Sequence, residues 1–253
     1  MKYFSEFANL KCFTFSEAKE IVGTEKNALS VLSSYVQKRL VAKVKRGLYV
    51  VLEDGFSVAN QYEIASKISL DAVITNHSAL SYFGYTNQVS YEMYVATQKR
   101  FRTFKFEGYT YTRVIPTIKD GVLQKNNLRV TNIERTILDC INNFYLCLDF
   151  EEFYKALKDI SFLDENKMRQ YLPQYGKKVI YQKTGFIFEK VKEEFNISDG
   201  FLDFCKINSG TLEYLLPESK KRKNLYFDKN WNLMVPKDLW QSVYKAEADF
   251  YEL

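Results

Sequence analysis

The sequence predicts an α+β protein: an N-terminal winged helix-turn-helix over residues 1–54, then a larger mixed α/β domain over 55–253 with an antiparallel sheet and several helices. Three observations predict it. Two short amphipathic patterns separated by Gly23 occupy residues 14–40, and a basic hairpin pattern follows them at once. Beyond residue 55, helical and strand-like runs succeed one another without an internal repeat or low-complexity tract.

Composition supports a packed protein. Hydrophobic residues make up 46% and charged ones 26%, enough apolar surface to offset the ordering entropy of the chain. No apolar run approaches the ~20 residues of a membrane span, so no membrane partner is expected. The start, MKYFSEFANLKCF, is broken by Glu6 and Lys11 and does not read as a signal peptide. Cys12, Cys140, Cys147 and Cys205 form no CxxC pair and are expected as reduced core residues of a cytoplasmic protein. His77 is the single histidine, which excludes a His-rich metal site; neither metal nor cofactor is expected.

Along the chain, Phe4, Phe7 and Leu10 share one face of a first helix over 3–10. Thr14 can cap a second helix with Phe15, Ala18, Ile21 and Val22 on one side; Gly23 stops it. Thr24 caps a third, whose apolar arc is read as Ala28, Leu29, Leu32, Tyr35, Val36 and Leu40. Its opposite arc, Lys26, Asn27, Ser30, Ser33, Ser34 and Gln37, contains no acid. Small hydroxyls let a helix sit deep in a major groove, and Asn and Gln can read adenine edges. LVAKVKRGLYVV then reads as a wing: Ala42 and Val44 inward, Lys43 and Lys45 outward, a turn at Arg46-Gly47. The candidate interface for double-stranded DNA is therefore Lys26, Asn27, Ser30, Ser34 and Gln37 for bases, with Lys43, Lys45 and Arg46 for phosphate. Charge agrees. Residues 1–51 hold nine Lys or Arg against four acids, leaving 27 of the 36 bases and 27 of the 31 acids to the other 202 residues.

LEDGFSV (52–58) is read as the domain junction. Helices are expected at about 58–69, around NHSALSYFG, after LRV at TNIERTILDCI with a Thr131/Glu134 capping box, and near 149–160, 164–172, 177–195 and 198–207. A short apolar piece is read at 72–74, and strands are expected at 91–97, 104–115 with a hairpin at Glu107-Gly108, 211–216, 224–227 and 231–235.

No catalytic residue is assigned, and no enzyme is expected. His77, Ser78 and Asp139 could be drawn as a triad, but Ser78 lacks the Gly-flanked turn that exposes a nucleophile. Arg135 and Asp139 sit one helical turn apart and read as a structural ion pair. Asp164 and Glu165 read as a helix start. Lys220, Lys221, Arg222 and Lys223, after Pro217, form a basic run that is either a solvated loop or a second nucleic-acid or partner contact.

KRGLYV, then HSALSYFG, YVAT and VTNIERTILD, in that order, resemble the AbiEi-type antitoxins of type IV toxin–antitoxin systems in bacterial abortive-infection loci. The resemblance spans most of the chain and is loose in its C-terminal third. It implies an autorepressor that binds inverted repeats in its own promoter, and a C-terminal domain that counters a nucleotidyltransferase-like toxin without requiring a stable complex. A monomer in solution that pairs on inverted-repeat DNA is the expected form. Two rivals are a regulator whose larger domain binds a small ligand, and an enzyme steered to DNA by its winged helix.

Overall fold

The computed structural model describes residues 2–86, 88–125, 128–147, 149–221, 223–241 and 243. The chain opens with α1 (Phe4–Leu10), β1 (Cys12–Thr14), α2 (Phe15–Val22), α3 (Glu25–Gln37), β2 (Val41–Lys45) and β3 (Leu48–Glu53). With strand order β1-β3-β2, all antiparallel, this is winged helix-turn-helix topology. Capping sets the helix starts. Thr14 and Glu17 close a reciprocal box on α2, Gly23 ends α2 at φ 100°, and Thr24 accepts from the Asn27 N–H to start α3. β1 was not foreseen. Three residues are too short a pattern, and its pairing to β3 is long-range.

The chain divides into two compact units, and the division does not fall at 54/55. The first is Met1–Ser78, Ser90–Pro116 and Val122–Val130; the second is Ala79–Val89, Thr117–Gly121 and Thr131–Leu253. The expected linker is itself structured. β3 pairs with β4 (Phe56–Ser57) across Asp54-Gly55, both at positive φ (50° and 87°), which is the geometry of a tight two-residue hairpin. The winged helix is then bonded to α4 (Gln61–Ser66) and the residue after it: Lys11 Nζ lies 3.4 Å from Glu63, and Lys67 pairs with Glu17.

Next come β5 (Val73–Ile74), α5 (Asn76–Phe83), β6 (Glu92–Ala96), β7 (Phe104–Phe106), β8 (Tyr109–Val114), β9 (Val122–Lys125) and β10 (Leu128–Thr131). They form a six-stranded sheet of order β7-β8-β6-β5-β10-β9. Its β5–β6 and β7–β8 pairs are antiparallel, the latter joined at Glu107-Gly108 as expected. The β6–β8 and β5–β10 pairs are parallel, a crossover that local patterns do not reveal.

The second unit is mainly helical: α6 (Ile133–Asn142), α7 (Phe150–Lys158), α8 (Glu165–Tyr171), α9 (Lys178–Lys190), α10 (Lys192–Phe195) and α11 (Asp199–Ile207). A small sheet of β11 (Glu213–Tyr214), β12 (Leu225–Asp228) and β13 (Leu233–Pro236) follows. Asn132, not Thr131, caps α6, accepting from the Arg135 N–H at 3.0 Å. The Glu134 carboxylate turns instead to Lys167 and the Asp164 N–H, each at 3.3 Å. Cys140 and Cys147 are bonded to each other rather than reduced; the end of α6 and the 3-10 turn after it bring their Cα atoms to 5.7 Å. Cys12 and Cys205 are free and buried, and burial raises both thiols to about 12.

α9 runs through the core of this unit, with Gly185 against the Trp231 indole. A Cβ there would overlap the ring, so Gly185→Ala should lower stability by roughly 1–3 kcal/mol in urea unfolding, outweighing the ~1 kcal/mol helix preference of Ala. Lys183, on the same helix, is buried with its ammonium 5.3 Å from the Phe144 ring centre. Burial pulls it down from 10.5 to about 8, against the attraction of Glu218 and Glu213, which corresponds to about 3 kcal/mol against the charged form. Below pH 8 the folded chain bears that cost in full. Between pH 8 and 10.5 the folded lysine has lost its proton while the unfolded one keeps it, so wild-type stability rises with pH. Lys183→Met should therefore stabilise the protein by about 1–3 kcal/mol at pH 7, with the gain fading towards pH 10.5 in denaturant titrations.

Candidate nucleic-acid interface

α3 buries a narrow stripe, Ala28, Leu32 and Tyr35, with Tyr35 edge-on to Phe4 and Phe7 at ring distances of 6.0 and 6.1 Å. That stripe is narrower than the expected arc. Leu29 is 53% and Val36 40% exposed, because the helix is rotated to seat Val31 against the core in their place. The solvent side carries Lys26, Asn27, Ser30, Ser33 and Gln37, with Ser34 half-buried at its edge. The expected polar face is thus assembled, with two apolar side chains added along one side.

The wing is β2 and β3 joined by Arg46-Gly47, with Gly47 at φ 79°. Its tip is tied to the helix-turn-helix by the Phe15 N–H, which donates to the Gly47 carbonyl at 2.9 Å. The alternation expected for β2 fails at one point. Lys43 pairs with Tyr49 but Lys45 with Leu48, so Val44 is an extra, bulged residue, and it is buried. A bulge re-aims every side chain beyond it. Lys43 keeps the Tyr49 side and is exposed, whereas Lys45 moves to the Leu48 side. There its ammonium sits 5.6 Å over the Phe101 ring, and burial, then Lys99, lower its pKa. Lys45 is therefore partly committed within the fold rather than projecting freely from the wing. Arg46 is exposed at the tip. Among the described residues, neither Lys43 nor Arg46 is paired with a carboxylate.

Lys45 leads to residues that sequence reasoning passed over. Lys99, Arg100 and Arg102 are exposed in the segment between β6 and β7. The signal was present as KRFR, three cations around an aromatic, but it vanished into the even charge balance of the 202 residues after the wing. Lys220, Lys221 and Lys223 lie exposed in the second unit, with Lys220 5.6 Å from the Tyr214 ring centre; Arg222 is outside the described residues.

Three of the other chemical candidates, Asp139, Ser78 and Asp164, are engaged within the fold. The Asp139 carboxylate takes Arg135 Nε at 3.2 Å and the Tyr175 hydroxyl at 2.8 Å, a structural network. Ser78 is bound to β6, accepting from the Tyr94 N–H and donating to the Glu92 carbonyl. His77, the second residue of α5, has neither ring nitrogen hydrogen-bonded among the described residues, and burial lowers its pKa. Asp164 caps α8, as its position at a helix start implied. No group of three or more His, Cys, Asp or Glu is arranged for a metal among the described residues. No helix among them is long and apolar enough to cross a membrane. The second unit has a cavity of about 250 Å³ lined by Phe144, Phe150, Asp149, Glu151, Glu218 and neighbours. It falls below the roughly 300–1,000 Å³ of ordinary ligand pockets, and its polar groups are mostly carboxylates.

No family model and no curated protein matches the chain. Among solved structures it is similar to the crystal structure of RV2827C protein from Mycobacterium tuberculosis, with a TM-score of 0.65 at 10% sequence identity over 96% of this chain and 94% of that one. At that identity the likeness speaks for the fold alone.

Proposed function

We propose that this protein is a DNA-binding transcriptional regulator that lays α3 in the major groove of its operator and its wing against the neighbouring backbone. One observation carries the reading: an acid-free polar face on α3 stands next to a hairpin whose two exposed cations have no carboxylate partner among the described residues. Lys43 and Arg46 supply the phosphate contacts. Lys26, Asn27, Ser30 and Gln37 supply base contacts, and Leu29 and Val36 suit the C5-methyl groups of thymine. Lys45 has a smaller direct share than its position in the sequence suggests, because its charge already lies over Phe101.

The resemblance to AbiEi-type antitoxins extends the proposal to autorepression of a toxin–antitoxin operon, with the second unit countering a nucleotidyltransferase-like toxin. A ligand-responsive regulator is the rival reading, and the cavity beside Phe144 and Glu218 does not favour it, being small with a polar lining mainly of one sign of charge.

The deciding experiment is a gel-shift titration of the full chain against the DNA immediately upstream of its own coding sequence, with unrelated DNA as competitor. Lys43→Ala/Arg46→Ala should weaken binding to every duplex and reduce the slope of log affinity against log salt by about 2. Asn27→Ala or Ser30→Ala should instead cost operator binding selectively, by about 1–3 kcal/mol per lost base contact. Equal binding of upstream and unrelated DNA by the wild type would sink the operator reading. The antitoxin extension predicts a nucleotidyltransferase-like toxin gene beside this one, and co-expression of this chain, even with Lys43→Ala/Arg46→Ala in the wing, should relieve the growth arrest that gene causes. Growth arrest in the presence of the wild-type chain would remove that extension.

A further inference from the structure

We propose that the segment Gln98–Thr103 is a second phosphate-contacting element, gripping the duplex backbone on the side of the wing away from α3. This rests on the regulator reading above and adds a contact that the winged helix does not itself contain.

Placement comes first. The β2 bulge separates the two lysines of the wing: Lys43 shares the Tyr49 side, and Lys45 the Leu48 side. Tyr49 and Val51 pack on the helical core that includes Ala28, Leu32 and Tyr35 of α3, so the helices lie on one side of the ribbon. Phe101, beneath the Lys45 ammonium, lies on the other. A polyanion running past the wing would therefore leave α3 behind and meet this segment next.

The segment is also held in position. At its entry, the Asp71 carboxylate accepts from the Gln98 N–H at 2.7 Å, from Ser69 Oγ at 2.9 Å and from the Thr97 hydroxyl. Against burial, which pushes the carboxyl up, these bonds together hold Asp71 down at about 2, so it stays ionised. Arg113 donates to the Thr97 and Gln98 carbonyls at 3.1 and 2.9 Å. At its exit, Phe104 stacks on the buried Tyr111 ring at 4.8 Å, and Phe101 in the middle rests 6.0 Å from Phe104. Anchoring at both ends and at the centre lowers the ordering cost of a contact.

Charge supplies the last step. Lys99, Arg100 and Arg102 are exposed, and among the described residues none is paired with a carboxylate. Lys11, Lys67, Lys155 and Lys192 each have such a partner. Three unpaired cations within four positions, continuous with the wing through Lys45, match the spaced anions of a duplex backbone. The one large apolar side chain, Phe101, is turned inward under Lys45, which suits a polyanion better than a membrane.

The test is a fluorescence-anisotropy titration of the full-length Lys99→Ala/Arg100→Ala/Arg102→Ala variant at several salt concentrations. The probes are a 30-base-pair duplex from upstream of the gene, a random duplex and a single-stranded RNA of equal length. Both duplexes should lose about 10- to 100-fold in affinity near 0.1 M salt, and the salt slope should fall by about 2–3. The Lys99→Arg/Arg100→Lys/Arg102→Lys variant should keep wild-type binding, because phosphate recognition needs charge. Unchanged duplex affinity and slope, with Lys43→Ala/Arg46→Ala still weakening binding, would overturn the segment's role and leave the regulator reading intact. A loss confined to the RNA would also overturn it, in favour of a different polyanion. A wild-type chain that binds neither duplex would end both readings together.

Discussion

The first unit is organised around one strand that must be buried on both faces. Leu48, Tyr49, Val50 and Val51 of β3 are all buried, although successive residues of a strand point in opposite directions. Tyr49 and Val51 face the helical core of the winged helix. Leu48 and Val50 point the other way and are covered as completely. Each such side chain contributes on the order of 1.5–3 kcal/mol by leaving water, so a freely projecting hairpin would forfeit a large part of the unit's stability. β3 also pairs on both edges, with β1 and β2, and continues into β4. The winged helix is therefore one side of a larger unit, and the Lys11–Glu63 and Lys67–Glu17 pairs are secondary to that burial.

This constraint organises the charge as well. Because β3 is covered on its second face, whatever covers it comes to lie beside the wing. The bulge at Val44 turns Lys45 towards that side, where it meets Phe101. A cation over an aromatic ring gains on the order of 0.5–2 kcal/mol depending on its exposure, enough to fix a long side chain that would otherwise be free. The cations of the wing are thus divided between a projecting pair, Lys43 and Arg46, and one inward-leaning residue. The basic segment from Lys99 to Arg102 is set beside the latter.

The second unit works by different means. Its core is built on α9, whose Gly185 admits the Trp231 indole to the helix backbone, and on α6, whose Arg135 and Asp139 form a buried ion pair completed by Tyr175. Arg135 also donates to the Asp120 carbonyl at 2.7 Å. A buried pair of this kind is tolerated when its remaining hydrogen-bonding capacity is met, as the Tyr175 hydroxyl and the Asp120 carbonyl help to do here. The likeness to a fold with 10% sequence identity fits this picture: burial pattern and backbone pairing can persist while individual side chains change.

Much was legible in the sequence because it depends on neighbours along the chain. Helix starts at Thr14 and Thr24, the glycine stop at 23, the Arg46-Gly47 and Glu107-Gly108 turns and the polar face of α3 follow from capping, φ restrictions and 3.6-residue periodicity, all local effects. What tertiary structure decided is equally specific. LYVV looks the same in a half-exposed wing and in a strand covered on both faces; only long-range packing distinguishes them. Asp54-Gly55 is a sound hairpin signal, but whether a hairpin closes a domain or continues it depends on what its strands meet. The bulge at Val44, the rotation of α3 that exposes Leu29 and Val36, the Cys140–Cys147 bond and the approach of Phe101 to Lys45 all arise from contacts that no sequence period encodes. The chain by itself determined which side chains can cap, turn and alternate; the fold determined which cations remain facing outward, because burial of β3 fixes what stands on either side of it.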